Sequence, residues 1–386
     1  MAGGRHPRAL QRVGHRARDR PGGDRRGVRH RARCLDQRPG PAGFTRVTTK
    51  VCGRLEGVST PAPRTLVLVG ATASGKSALA VAYALSSAAQ GRPAEVVNAD
   101  SMLVYRGMDI GTAKPTMAER GGVPHHLIDI AEITETASVA EFQTLARAAI
   151  ADCHARGVLP IVTGGSALYT RAITDEFSFP GTDPQRRAYW EAELDRLGAP
   201  ALHALLAERA PQAAADILPG NGRRIVRALE VIDLTGEFTS QLPSWRYALP
   251  GTVLQVGLEL DRATMDERIA QRVERMWADG FVEEVRRLEA RGLRQGRTAS
   301  RALGYRQVLA YLAGESSEDQ ARQATITGTR RFARKQLSWY RRDERIRWLP
   351  AGAPDLVERL AGMLAEPPVL PVPERDWTPS GGGESL

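Results

Sequence analysis

LVLVGATASGKSALA, residues 66–80, decides the fold. An apolar run leads into Gly70-Ala71-Thr72-Ala73-Ser74-Gly75-Lys76-Ser77 and then into an alanine-rich segment, so GxxxxGK[ST] stands between a strand and a helix as the motif requires. The glycines let backbone N–H groups close around phosphate oxygens, Lys76 adds a charge, and Ser77 can take Mg²⁺. The helix N-terminus behind them favours an anion. These eight residues form the candidate phosphate site, with Ser77 the candidate metal ligand.

Further apolar runs follow at helix-length spacing: AEVVNA (94–99), HHLIDI (125–130), LPIVTGG (159–165) and TVLQVGLEL (252–260). With TLVLVG (65–70) they predict an α/β core, a P-loop-like parallel sheet flanked by helices. From 176 to 250 no good strand occurs. DPQRRAYWEAELDRLG, ALHALLAERAP and NGRRIVRALEVIDLTG instead carry apolar residues every three or four positions, and Asp183-Pro184 is a helix start. The expected organisation is a catalytic core over 63–175 and 251–350, interrupted by an all-helical insertion over 176–250.

An ordinary P-loop nucleoside triphosphatase also needs an acid ending an apolar strand, to orient the metal. LPIVTGG ends in Thr163 and two glycines. The acid that does end a strand is Asp100, on the sheet edge that carries the phosphate loop, where α/β enzymes bind ligands. Position alone leaves Asp100 as a general base or as a turn or helix-capping residue.

The net charge of +10 suggests nucleic acid until it is located. Residues 1–62 hold 15 basic and 4 acidic residues, which leaves 39 basic against 40 acidic over the remainder. That Arg/Gly/Pro-rich segment lacks apolar periodicity and is expected to be disordered. Its readings are an RNA-grasping arm, a transit peptide, or an over-long reading frame with translation starting near Val51 or Val58. The stretch 366–386 is a second expected disordered tail. Three cysteines give no disulfide framework and suit a reducing cytoplasm. No run of 18 apolar residues exists, so no membrane span is expected, and His125 and His126 have no metal-spaced partners in sequence.

Taken in order, GATASGKS, ADSMLVYRGMDIGTAKP (99–115), VPHHLIDI, IVTGGSALY (161–169), RRIVRALEV (223–231), RALGYRQ (301–307) and TRRFARKQLSWYRR (329–342) resemble the tRNA dimethylallyltransferases (isopentenyltransferases) over about 65–350. The resemblance implies transfer of a dimethylallyl group from dimethylallyl diphosphate to the exocyclic amine of the adenosine 3′ of the anticodon. The tRNAs would be those reading codons that begin with U. It implies too that the phosphate loop grips the diphosphate of an isoprenoid donor, with Mg²⁺ as cofactor.

Carried over by motif, the resemblance makes Asp100 the general base, puts Thr72 near the reacting centre with Lys76, and sends Arg272 to the diphosphate. The tRNA anticodon stem-loop would be met by Asp100, Ser101, Met102, Leu103, Ser166 and Arg187, and by Arg223, Arg224 and Arg227 of the insertion. Arg301, Gly304, Tyr305 and Arg306, then Arg330, Arg334, Lys335, Trp339 and Arg341, would complete the contact. A flipped loop adenine is read by stacking and edge contacts, which suits basic residues interleaved with aromatics. A basic amphipathic helix packing Phe332, Leu337 and Trp339 inward would give the same pattern, and both readings are expected on different faces. Ala71 replaces the family's usual proline, Leu103 a common glutamine, Ser166 a threonine and Ala167 a glycine; the Leu103 change bears on an RNA contact. A monomer is expected, because tRNA already fills the cleft. The competing readings are a P-loop small-molecule kinase, an adenylate isopentenyltransferase and a non-catalytic RNA-binding module.

Overall fold

The computed structural model describes residues 63–239 and 245–366. The expected disorder of 1–62, and that of the tail beyond Glu366, lies outside the described residues. Six strands form one parallel sheet: β1 (Arg64–Gly70), β2 (Ala94–Asn98), β3 (His125–His126), β4 (Leu159–Thr163), β5 (Thr252–Glu259) and β6 (Ile346–Pro350), in the order β3-β2-β4-β1-β5-β6. The helices are α1 (Lys76–Ala89), α2 (Met117–Arg120), α3 (Val139–Ala155), α4 (Ala167–Thr174), α5 (Pro184–Leu197), α6 (Ala199–Arg209) and α7 (Pro211–Asp216). They continue with α8 (Gly222–Thr235), α9 (Arg262–Ala278), α10 (Phe281–Ala290), α11 (Tyr305–Leu312), α12 (Glu318–Tyr340) and α13 (Leu356–Ala365).

Central strands of such a sheet are covered on both faces and so read as unbroken apolar runs. In β1, Leu66 and Leu68 pack with α1 and α13, while Val67 and Val69 face Phe142 and Ile150 of α3 and Phe281 of α10. The chain winds from β1 out to β2 and β3, then returns through β4 to lie beside β1. The phosphate loop therefore opens at the switch between two winding directions, where α/β sheets leave a crevice.

One strand expectation is corrected, and one strand is added. HHLIDI contributes only His125 and His126 to the sheet. Leu127 (φ 62°) and Asp129 (φ 57°) adopt left-handed backbone and turn the chain out of the ladder. IRWLP, not singled out from sequence, is the edge strand β6.

The insertion is helical, as expected. Asp183 caps α5 by accepting from the N–H groups of Gln185 and Arg186, Pro184 opens that helix, and Asn221 caps α8. It has its own core, in which Trp190, Leu202, Leu206, Ile225 and Leu229 are buried together. At its root Asp175 bridges Tyr247, and buried Asp175 accepts from both Arg171 and Arg345. Arg345 also donates to Asp343 and lies over the Tyr247 ring, 4.2 Å from its centroid.

Candidate active site

The phosphate loop takes its shape from backbone that few residues tolerate. Gly70 has φ 140°, and a Cβ there would lie 2.8 Å from the Leu258 carbonyl oxygen of β5, so the close approach of two strands demands glycine. Ala73 (φ 63°) and Gly75 (φ 92°) are left-handed, and α1 starts at Lys76 without any side-chain cap. Its first N–H groups consequently point into the loop.

Lys76 is buried and donates to the Ala71 carbonyl at 2.7 Å. Burial, reinforced by nearby Arg272 and opposed by Asp100, lowers its pKa to about 8. Arg272, from the middle of α9, donates to the Thr72 hydroxyl at 3.1 Å. Two cations therefore converge on one loop. A dianion would repay both for their desolvation.

Asp100 follows β2. Its Oδ1 accepts the Met102 N–H at 2.8 Å, and burial raises its pKa against the pull of Met102, Lys76, Leu103 and Arg272. Asn98, which sequence reasoning passed over, fixes that carboxylate's backbone. Its Oδ1 accepts the Asp100 N–H at 2.8 Å, while its Nδ2 donates to the carbonyls of Asp100 and Leu127, each at 3.0 Å. Asp100 thus caps a turn and keeps a carboxylate with a raised pKa beside the phosphate loop.

The site can be tested for magnesium. Ser77 lies exposed in the first turn of α1. Thr163 occupies the strand end where a metal-orienting acid would stand; its hydroxyl is buried and has no hydrogen-bond partner among the described residues. Ile161, two residues earlier, belongs to the apolar layer under α1, so Thr163 faces that helix as well. A protein donor set this sparse fits magnesium, which keeps several waters and takes other ligands from substrate phosphates.

The residues expected to meet RNA separate into groups. Ser101, Met102, Leu103 and Ser166 are half-buried around Asp100 and the β4 loop. Arg334, Lys335 and Trp339 of α12 and Arg341 just past its end are exposed; Arg341 pairs with Glu259 at 2.7 Å. Arg334 and Arg341 border a cavity of about 910 Å³ at the ends of β5 and β6. Arg330 is turned aside and donates to the Asp266 carbonyl. In the insertion, Arg187 and Arg227 both pair with buried Glu230, whereas Arg223 and Arg224 are exposed. Arg301 and Arg306 are exposed and line a smaller cavity of about 330 Å³.

Gly304 and Tyr305 require correction. Tyr305 is fully buried and donates to Glu284 Oε1 at 2.5 Å. Gly304 is also buried, and a Cβ there would meet the Phe281 ring at 3.1 Å. Buried as they are, these two residues pack the scaffold, and the Tyr305 side chain is not at the surface. Glu284 accepts further bonds from the N–H groups of Asp109, Ile110 and Gly111, fastening the loop that follows Asp100.

Outside the cleft, Glu95, His126 and Cys153 offer metal-ligand atoms within 4.8 Å of one another, a grouping invisible in sequence. Arg156 already forks onto Glu95 with two bonds of 2.7 Å, holding its pKa near 2. Burial, together with Glu95, pushes the Cys153 thiol up to about 12. The guanidinium compensates this cluster without an ion. Among the described residues no helix is long and apolar enough to cross a membrane.

A phosphate-type loop at the switch point of a parallel sheet, two desolvated cations on it and a carboxylate next to it define a protein of P-loop-like fold with a candidate anion site. The chain belongs to the IPP transferase family, whose model it matches over residues 103–343. It is 60% identical over 299 residues to a Cutibacterium acnes protein named tRNA dimethylallyltransferase, which spans 78% of this chain and 93% of that one. A protein of the same name from Kineococcus radiotolerans is 63% identical over 288 residues, covering 74% and 90% respectively. The solved full-length tRNA isopentenylpyrophosphate transferase of Bacillus halodurans shares 36% identity at a TM-score of 0.58, covering 78% of this chain and 95% of its own.

Proposed function

We propose that this protein transfers a dimethylallyl group from dimethylallyl diphosphate to the exocyclic amine of the adenosine 3′ of the anticodon in tRNA, releasing diphosphate. The observation that carries the reading is Asp100: a carboxylate with a raised pKa shares one cleft with Lys76 and Arg272, at a phosphate loop that lacks the strand-end acid of an ATP hydrolase. A small-molecule kinase would need neither the helical insertion nor the exposed basic and aromatic face of α12.

In the reaction the C1–O bond of the donor breaks and its electron pair leaves with the diphosphate. The amine nitrogen forms the new bond to C1, and its proton passes to the Asp100 carboxylate. Lys76, Arg272 and the loop N–H groups stabilise the charge that develops on the leaving oxygen, in positions fixed beforehand. Thr72, whose hydroxyl accepts from Arg272, would stand beside the same oxygens. Ser77 would hold Mg²⁺, which when bound supplies further charge neutralisation on the diphosphate. Exposed Arg334, Lys335 and Trp339 of α12, with Arg223 and Arg224 of the insertion, supply phosphate contacts and a stacking surface for the anticodon stem-loop. The protein acts as a cytoplasmic monomer in this reading.

The test is incubation with radiolabelled dimethylallyl diphosphate and either an unmodified anticodon stem-loop or AMP. Label is expected in the RNA without added ATP. Label in AMP alone, or a requirement for ATP, overturns the reading.

A further inference from the structure

We infer that Gln336 is a positioning residue for the phosphate loop: its side-chain amide, reaching from α12, fixes the Thr72 backbone and through it Arg272, so that both meet the donor's diphosphate. The inference rests on the donor site proposed above.

Both ends of the Gln336 amide are used, and the residue is buried. Oε1 accepts the Thr72 N–H at 2.9 Å, and Nε2 donates to the Gly165 carbonyl at 2.7 Å. The side chain thus ties the phosphate loop after β1 to the glycine loop after β4. Thr72 then passes the constraint on, since its hydroxyl accepts from Arg272 at 3.1 Å. Four residues from four separate segments form one chain: Gly165, Gln336, Thr72, Arg272.

The surroundings support this use. A Cβ on Gly165 would come within 2.4 Å of Gln336 Nε2, so glycine there leaves room for the amide. One turn further along α12, the Tyr340 hydroxyl donates to the Gly164 carbonyl at 3.4 Å. Ala333 and Leu337 pack against Ala71 with Met265 and Ile269. One face of α12 is therefore fastened to both loops while Arg334 and Lys335 stay exposed. The Thr72 amide, committed to Gln336, is withdrawn from phosphate binding, which falls to the amides at the start of α1. A neutral amide makes these ties without placing charge against the diphosphate.

Two variants of the full chain test the inference, Gln336→Met and Gly165→Ala. The first removes the amide with little change in volume, and the second displaces it. Inorganic diphosphate with magnesium is titrated calorimetrically, donor KM and kcat are measured with RNA saturating, and RNA affinity is measured separately. Each variant is expected to raise the diphosphate Kd and the donor KM roughly tenfold, about 1.4 kcal/mol, as for one net hydrogen bond in a buried site. kcat at saturating donor is expected to fall as well, because Arg272 also meets the charge that develops on the leaving oxygen, while RNA affinity is expected to stay within about threefold. The double variant should be no worse than the weaker single one, because both break the same tie. Unchanged diphosphate affinity in the single variants, effects that add in full, or RNA affinity falling as far as diphosphate affinity would each overturn the inference. Diphosphate binding is read without any transfer reaction, so failure of the wild type to prenylate RNA would sink the proposed function and leave this test standing.

Discussion

Asp100→Asn separates the base from its scaffold. Asn can still accept the Met102 N–H through Oδ1, the 2.8 Å bond that shapes the turn, and Asn98 still holds the residue's backbone N–H and carbonyl. What is lost is the proton acceptor and one negative charge. Positioned general bases contribute roughly 10²–10⁴-fold, equivalent to about 2.7–5.4 kcal/mol of barrier, so kcat is expected to fall by that factor. The charge change acts on the donor with the opposite sign. Asp100 is the anion that partly balances Lys76 and Arg272, so its neutralisation leaves the two cations to the diphosphate and donor affinity should hold or tighten. Single-turnover transfer to a stem-loop RNA gives the first quantity, and calorimetric titration of inorganic diphosphate at pH 7 gives the second. A loss of diphosphate affinity matching the loss of rate, or a rate loss below about tenfold, refutes the reasoning and returns Asp100 to a capping role.

The pH profile follows from the same pair. The base must be ionised, so kcat should fall with acid through an apparent pKa above the ordinary carboxylate value, because burial raises that of Asp100. Diphosphate affinity should fall with alkali above about pH 8, where Lys76 of the free protein loses its proton; a flat affinity from pH 7 to 10 contradicts this. Glu284→Gln keeps one acceptor oxygen but turns an amide N–H₂ toward the donors of the Asp109–Gly111 loop and Tyr305, so a loss of about 3 kcal/mol in denaturant unfolding is expected. Replacing both Arg334 and Lys335 by Gln should weaken RNA binding and lower the slope of log K against log salt by about 0.7 for each phosphate contact removed. An unchanged slope would place the RNA elsewhere.

How far the sequence could be read depended on the reach of the interaction involved. The phosphate loop and the start of α5 were legible because the decisive contacts span a few residues: Lys76 to Ala71, or Asp183 to Gln185. β6 was missed because IRWLP is short, follows a charged run and carries Arg347 half-exposed at a sheet edge, so its membership shows only in its register with β5. HHLIDI looked like a full strand because its apolar pattern cannot show that Leu127 and Asp129 take positive φ. The motif points Tyr305 toward RNA, yet the residue is buried against Glu284, 21 positions away, which no local pattern reveals.

The same distinction explains what a phosphate loop can and cannot say about chemistry. GATASGKS specifies a grip, and the grip is common to phosphoryl transfer and to expulsion of a diphosphate. Which bond breaks depends on what stands opposite. Here β4 brings the uncharged Thr163 to the place of a metal-orienting acid, while β2 brings Asp100 under the hold of Asn98. The loop's own Thr72 is held from α12 and α9, more than 190 residues downstream, its backbone N–H by Gln336 and its hydroxyl by Arg272. Moving the acid from the end of β4 to the turn after β2 takes it from the metal's place to one where it can accept a proton from an incoming amine. A Thr163→Asp substitution would put an acid back where a hydrolase has one. With Asp100 retained it should leave dimethylallyl transfer as the only reaction detected, and measurable ATP hydrolysis by that variant would show that the strand-end acid, not the base, sets the chemistry of this cleft.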